Sequence, residues 1–571
     1  MHLAVVFSLA ISLAASAAAA PPTAIYYGGS ILTMHDSVPE AEALAVTDGT
    51  ISAIGGKADL LRAAGPDTQL IDLAGKALLP GFIDGHSHFF QCVLMPLQAN
   101  CSSPPAGPCQ SIADIVKQLQ AKQRELKPAE GRFIFGYGYD PDLLTEKRHP
   151  TKQDLDPAFP DNPVILLHVS GHGAVLNSAA LKRYGITAAT KTPAGGVIGR
   201  LPGSQEPSGL LMETAFIPIF TGLHLPPAEK LLGFLKTGQR AYAAAGITTA
   251  QEGATGAGAY KLLQAAAERG LLEVDVIAYI LAQDLKATIG DKPPFTEHDY
   301  RGRLRVGGIK VLTDGSPQGR TAFFSTPYLN GGPAGQQHWR GEPTSPQAEL
   351  NDIFKQAYDN GAQVLIHSNG DAAIDMLLAA HRYAAAGSLT KDRRTVGIHS
   401  QFIRPDQLKR YADWKIIPSF FTVHTFYFGQ AHIANRGRAQ AEQLSPFRSA
   451  LDLGLRPTNH TDYSVVPLDQ LFTVHTAVNR TMRDGSVLGP DERITPLEAL
   501  KALTINAAIQ YREEARKGTL EPGKLADLVI LSENPLTVPA AALKTIHVVE
   551  TIKEGKTIFR EGAEAGRLPL R

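Results

Sequence analysis

The chain has few cysteines, no surplus of either charge, and no long apolar run beyond its first twenty residues; each shortage excludes something. Three cysteines in 571 residues, Cys92, Cys101 and Cys109, are too few for a disulfide-built scaffold and lack zinc-ribbon spacing. Cys101 and Cys109 bracket a Ser/Pro/Gly loop and form a candidate pair, leaving Cys92 free. Lys+Arg and Asp+Glu both total 55, a formal net charge of zero, so neither a nucleic-acid surface nor an acidic tail is expected. After residue 20 nothing approaches the ~20 apolar residues of a spanning helix. There is no Gly-x-Ser-x-Gly nucleophile elbow and no Gly-x-Gly-x-x-Gly phosphate loop. Residues 518–524 imitate the start of a phosphate loop, but Leu525 stands where Ser or Thr is needed, and a strand follows. What survives is an ordinary globular protein acting on a small molecule.

The uncharged stretch 3–20 ends in Ala-Ala-Ser-Ala-Ala-Ala-Ala before Pro21-Pro22, the pattern of a cleavable signal peptide over residues 1–20. Export, secreted or periplasmic, is therefore expected. An uncleaved anchor is the alternative, because His2 is the one candidate positive group ahead of the apolar run. Residues 24–78 read as short strands with tight turns, Asp48-Gly49 being a hairpin signal, and the same texture returns at 525–531 and 547–559 around Glu554-Gly555. Residues 21–78 with 515–571 are thus expected to build one composite β-sandwich.

The middle, 79–514, alternates apolar runs with helical segments. Candidate strands are 82–86, 247–252, 272–280, 306–312, 363–367, 396–399, 416–422 and 457–462; helical periods cover 228–245, 261–269, 346–360 and 372–386. Eight βα units predict an α/β fold, a closed (β/α)8 TIM-type barrel, with a doubly wound open sheet as the alternative. Thr495-Pro496-Leu497-Glu498 carries a helix cap, a first-turn proline and a capping-box glutamate. The long insertion 89–246 follows the first strand, where barrel enzymes place their substrate-shaping loops.

Polar residues collect at the ends of those strands. His86 and His88 end the first, Lys310 lies in the fourth, His367 and His399 end the fifth and sixth, and Asp462 ends the eighth. In a strand, residues i and i+2 share a face, so the His86 and His88 rings would converge, and neutral imidazole is a common metal ligand. Each residue has a plain alternative: a satisfied core histidine, a turn-capping Asp462, a Lys310 held in a structural ion pair. An unpaired ammonium among Ile309, Val311 and Leu312 is costly, however, and all six together point to one site.

The ordered set, with residues 156–181, 310–321 and 518–531, resembles the amidohydrolase superfamily and its YtcJ-like branch, amidohydrolase family 3, from about residue 24 to 560. The resemblance implies a metal-dependent hydrolase of carbon–nitrogen bonds other than peptide bonds, using one or two Zn2+ or other divalent ions. It implies that His86 and His88 hold one ion, His367 and His399 the other, and a carbamylated Lys310 bridges them. Asp462 would be ligand and general base, and His172 would meet the developing oxyanion or pack within the insertion. Tyr139, Asp140 and Arg320 are further pocket candidates, as are His424 and His432. Phe420, Phe421, Phe426, Tyr427 and Phe428 suggest an apolar or aromatic substrate group. Asn459-His460-Thr461 departs from the family's usual wording and sets an extra imidazole near Asp462. Deamination, ester or lactone hydrolysis, isomerisation on the same site, and a non-catalytic binding protein stay open, as does a homodimer.

Overall fold

The computed structural model describes residues 20–223, 226–290 and 299–562; the expected signal segment lies, but for Ala20, outside them. Eight strands form a parallel sheet: β1 (Phe82–Ile83), β2 (Ile247–Thr255), β3 (Asp275–Leu281), β4 (Leu304–Leu312), β5 (Gln363–Ser368), β6 (Val396–His399), β7 (Ile417–Phe420) and β8 (Thr458–Asn459). They pair in chain order from β1 to β8. The two ends of the path meet just beyond the strands: the Asp462 N–H donates to the His86 carbonyl at 3.1 Å, and the His88 N–H to the Tyr463 carbonyl at 2.9 Å. The sheet therefore curls round on itself, a TIM-barrel-type α/β fold.

Every residue of β3 is buried, as a strand covered on both faces requires. Helices cover the outside with apolar stripes, such as Leu350, Phe354 and Ala357 of Gln347–Asp359. The expected capping box forms at Thr495 and Glu498. Both ends of the barrel are shorter than the apolar pattern suggests. Asp84, fully buried, takes the His86 N–H at 3.4 Å and the Thr461 hydroxyl at 3.1 Å. Gly85 packs so closely on the Asn459 carbonyl that a Cβ there would lie 2.8 Å from it. The chain bends at both places, so His86 and His88 project from a bend beyond β1 and not from a strand.

The two ends of the chain share one eight-stranded sheet, in which Leu528–Leu531 pairs antiparallel with Ala77–Pro80. This sheet curls around Tyr26, Leu44, Val46, Leu528, Ile530 and Ile552. Asp48 and Gly49 both have positive φ (48° and 78°), which suits the tight hairpin. A buried ionic cluster links this sheet to the barrel floor: the Asp275 carboxylate meets Lys517 at 2.6 Å and Lys553 at 2.8 Å, and Lys553 also meets Asp527 at 2.8 Å.

Residues 89–246 carry their own six-stranded sheet, running from Gln98–Asn100 to Pro207–Glu213 in the chain. Cys92, Cys101 and Cys109 are buried and free. The candidate pair Cys101 and Cys109 is not bonded; the two thiols are in hydrogen-bonding contact, and the loop between them is closed by the Cys109 N–H to the Ser102 carbonyl at 3.0 Å. Among the described residues no helix is long and apolar enough to cross a membrane.

Candidate metal centre

The six singled-out residues meet at the carboxyl-terminal mouth of the barrel. His86 Nε2 lies 3.4 Å and His88 Nε2 3.3 Å from Asp462 Oδ1, while Asp462 Oδ2 is 3.8 Å from His399 Nε2. Lys310 Nζ is 3.1 Å from His86 Nε2, and His399 Nε2 is 3.1 Å from His367 Nδ1. His86, Lys310, His367 and His399 are all buried. His399 and Asp462 both adopt positive φ (69° and 48°), conformations that the surrounding loops must enforce.

The hydrogen-bond network sets which atoms face the centre. Tyr511 donates to the Asp84 carbonyl at 2.6 Å, so its oxygen accepts from Gln251 Nε2, also at 2.6 Å. Gln251 Nε2 also donates to the Gly85 carbonyl at 3.2 Å. The Gln251 amide oxygen is thereby aimed at His86 Nδ1, 2.5 Å away, and accepts its N–H. The His86 Nε2 lone pair must then point inward. Asp462 Oδ1, buried, has no hydrogen-bond donor of its own. Two imidazole nitrogens and an orphaned carboxylate oxygen converging on one point fit a divalent cation, and His86, His88 and Asp462 form a group that could hold one.

Burial raises an acid, but the neighbouring His399, His88 and His86 outweigh it and hold the Asp462 carboxyl well below its ordinary range. Burial pushes His86, His367 and His399 well down, which keeps their rings neutral and able to ligate. Burial lowers the Lys310 ammonium to about 8, against the opposing pull of Asp462 and Glu252. Asp314, pushed up to about 7 by burial, receives the N–H groups of Asn369 and Gly370 and shapes the turn after β5.

His172 reaches the site from the insertion. Its ring centroid is 4.7 Å from that of His367, and its Nδ1 is 3.0 Å from Glu213 Oε2. Burial alone would lower this imidazole, yet Glu213, by its charge and its hydrogen bond, raises it above the ordinary value. His172, Ser316, Asn369, Phe421 and His424 line the cleft above Asp462. His432 lies behind His424, 3.1 Å from its Nδ1. Phe420 packs on Phe447 within the core, and Phe426 and Tyr427 turn towards Phe472. Tyr139 Oη instead hydrogen-bonds with His149 Nδ1 at 3.1 Å inside the insertion, Asp140 accepts the Asp142 N–H, and the Arg320 carbonyl takes the Trp339 indole N–H. These three do not line the cleft. Gln251, Glu213 and Tyr511 were missed by sequence reasoning. Gln251 lies in the middle of β2 beside Glu252, and its one signal is a polar side chain at a buried strand position.

Residues 69–559 match the sequence profile described as amidohydrolase family. The chain belongs to that family. It is 28% identical over 529 residues to an N-substituted formamide deformylase of Arthrobacter pascens, covering 90% of this chain and 94% of that protein. It is 27% identical over 567 residues to the putative amidohydrolase YtcJ of Bacillus subtilis (strain 168), covering 94% and 99%. Among solved structures, an uncharacterized metal-dependent hydrolase from Pyrococcus furiosus aligns with a TM-score of 0.68 at 25% identity, covering 90% of this chain and all of that one. This amidohydrolase is a metal-dependent enzyme for carbon–nitrogen bonds other than peptide bonds.

Proposed function

We propose that the chain is an exported amidohydrolase that cleaves the amide of a small N-acyl or N-formyl amine. The observation that carries this is the orphaned Asp462 Oδ1 between the His86 and His88 imidazoles, facing a cleft walled by His172. His86, His88 and Asp462 would hold one cation, and His367, His399 and a carboxylated Lys310 would complete a second position. Such a cation, when bound, supplies Lewis-acid polarisation of a carbonyl and lowers the pKa of a water it holds to about 7. Asp462, kept ionised, takes the proton of the attacking water and passes it to the departing amine. His172, held towards its cationic form by Glu213, donates a hydrogen bond to the carbonyl oxygen as it gains charge. Phe421 and His424, whose rings meet at 53°, offer an aromatic wall to the acyl or amine substituent. The formamide deformylase relative supports an N-formyl or N-acyl amine as the first class to assay, and the apolar stretch 3–20 supports export.

The test is metal analysis of the purified protein together with product analysis on N-formyl amines, N-acyl amines, cyclic amides, esters and lactones. Stoichiometric divalent metal with release of a free amine and an acid is expected. A protein that holds no metal, or that releases ammonia from a ring carbon, overturns this reading.

A further inference from the structure

The two halves of the centre differ in how their imidazoles are held from behind. His86 is locked in one tautomer by the Gln251 amide oxygen. His399 is backed by a second imidazole instead: its Nδ1 lies 3.0 Å from His460 Nε2, and His460 Nδ1 lies 3.0 Å from Ser419 Oγ. Ser419, His460 and His399 are all buried, the first two completely, so water does not substitute for these bonds. On the other side, the Gly315 carbonyl accepts from His367 Nε2 at 3.1 Å and from Asn369 Nδ2 at 2.9 Å. The 3.0 Å approach of those two nitrogens follows from the shared acceptor. His367 therefore presents the lone pair of Nδ1 to His399 Nε2, 3.1 Å away.

We infer that Ser419 and His460 form a positioning relay that lets His399 exchange its tautomer when a cation enters between it and His367. Without a cation, His399 Nε2–H donates to His367 Nδ1. His399 Nδ1 then accepts from His460 Nε2–H, and His460 Nδ1 accepts from the Ser419 hydroxyl. With a cation, both inward nitrogens offer lone pairs. His399 Nδ1–H then donates to His460 Nε2, and His460 Nδ1–H donates to Ser419 Oγ. The three side chains carry the same number of protons in both arrangements: the His399 Nε2 proton leaves to water in the cleft, and Ser419 regains one from solvent during transient local opening, so the exchange is not a single concerted transfer. A hydroxyl both donates and accepts, which is why serine can end the chain where a carboxylate or a carbonyl would fix one direction.

The inference rests on His399 being a ligand, so the experiment separates the two claims. Full-length wild type, stripped with a chelator, is titrated with Zn2+ in competition with a chelating dye, alongside His460→Phe, His460→Gln and Ser419→Ala. His460→Phe fills the space but carries no hydrogen bond. It is expected to bind Zn2+ 10–100-fold more weakly, the usual effect of losing a partner behind a ligating histidine. His460→Gln, whose amide can donate or accept, is expected to recover affinity to within a few-fold, and Ser419→Ala to fall between them. Wild-type affinity in both His460→Phe and Ser419→Ala overturns the relay, as does a His460→Gln that binds no better than His460→Phe. Should His460→Phe fail to fold, Ser419→Ala decides alone. Absence of Zn2+ binding in wild type overturns the metal reading itself.

Discussion

Carboxylation of Lys310 requires a neutral amine that can add to carbon dioxide and release a proton, and the structure puts a magnitude on that requirement. Burial inside the barrel, on the face of the strand opposite Ile309 and Val311, brings the Lys310 ammonium down to about 8. At pH 7 roughly one Lys310 in ten is then neutral, against roughly one in 2,500 for a lysine of ordinary pKa near 10.4. The neutral form is enriched about two-hundred-fold. Metal-free protein prepared in carbon-dioxide-free buffer is reconstituted with Zn2+ at fixed dissolved carbon dioxide and several pH values. Metal uptake and intact mass are followed together. The initial rate of carboxylation is expected to rise roughly tenfold per pH unit up to about pH 8 and then level off. Lys310→Ala should fail to reconstitute fully, and a short-chain carboxylate should restore part of the loss by occupying the vacated position. Reconstitution that ignores both carbon dioxide and pH, or a Lys310→Ala protein that loads metal like wild type, refutes the reasoning.

Two further variants probe the support of the site and of the fold. In Gly253→Ala the new Cβ would stand 2.4 Å from His86 Cε1 and 2.6 Å from its Nδ1, while Gln251 holds that ring from swinging aside. Metal affinity is expected to fall 10–100-fold alongside an overpacking cost of about 1–3 kcal/mol in stability, and unaltered metal content in the folded variant would count against His86 as a ligand. Asp275→Ala strips the shared partner from Lys517 and Lys553, both at most 2% exposed, and should cost about 3–5 kcal/mol in denaturant unfolding. Burial raises the Asp275 carboxyl, but the two ammonium groups outweigh it and depress it strongly. Its stabilisation is therefore full above the unfolded value near 3.9 and is lost as pH falls from there towards the folded value. The variant should lack that part of the acid sensitivity, and equal acid profiles would show that Asp275 is not paired as described.

Much of the barrel was legible because its strands are covered on both faces and read as apolar runs: Val396–His399 was anticipated to the residue, and β4 and β5 to within two. The ends were not, because pairing at the seam is governed by the buried Asp84 carboxylate and by the close approach of Gly85 to Asn459, contacts between residues over 370 positions apart. The ligand set was legible as residue types at strand ends. The groups behind it were not: Gln251 is a polar residue inside an apolar run, and its partner Tyr511 comes from a helix cap 260 positions away. The unlinked state of Cys101 and Cys109 was equally out of reach, since loop composition does not specify sulfur geometry.

The insertion belongs to the centre as well as to the pocket. Glu213 closes the last strand of the insertion's sheet at a positive φ of 52°, and its carboxylate both holds His172 and abuts the barrel loop after β4. A Cβ on Gly315 would lie 2.0 Å from Glu213 Oε1, so a larger residue there would push that carboxylate aside. Gly315 also supplies the carbonyl that sets the tautomer of His367. The same short segment therefore positions a histidine of the centre and accommodates the carboxylate that charges His172. A change in the insertion that moved Glu213 would reach His367 through Gly315, so substrate preference and metal affinity should vary together, and the barrel's eight strands could stay unchanged while both did.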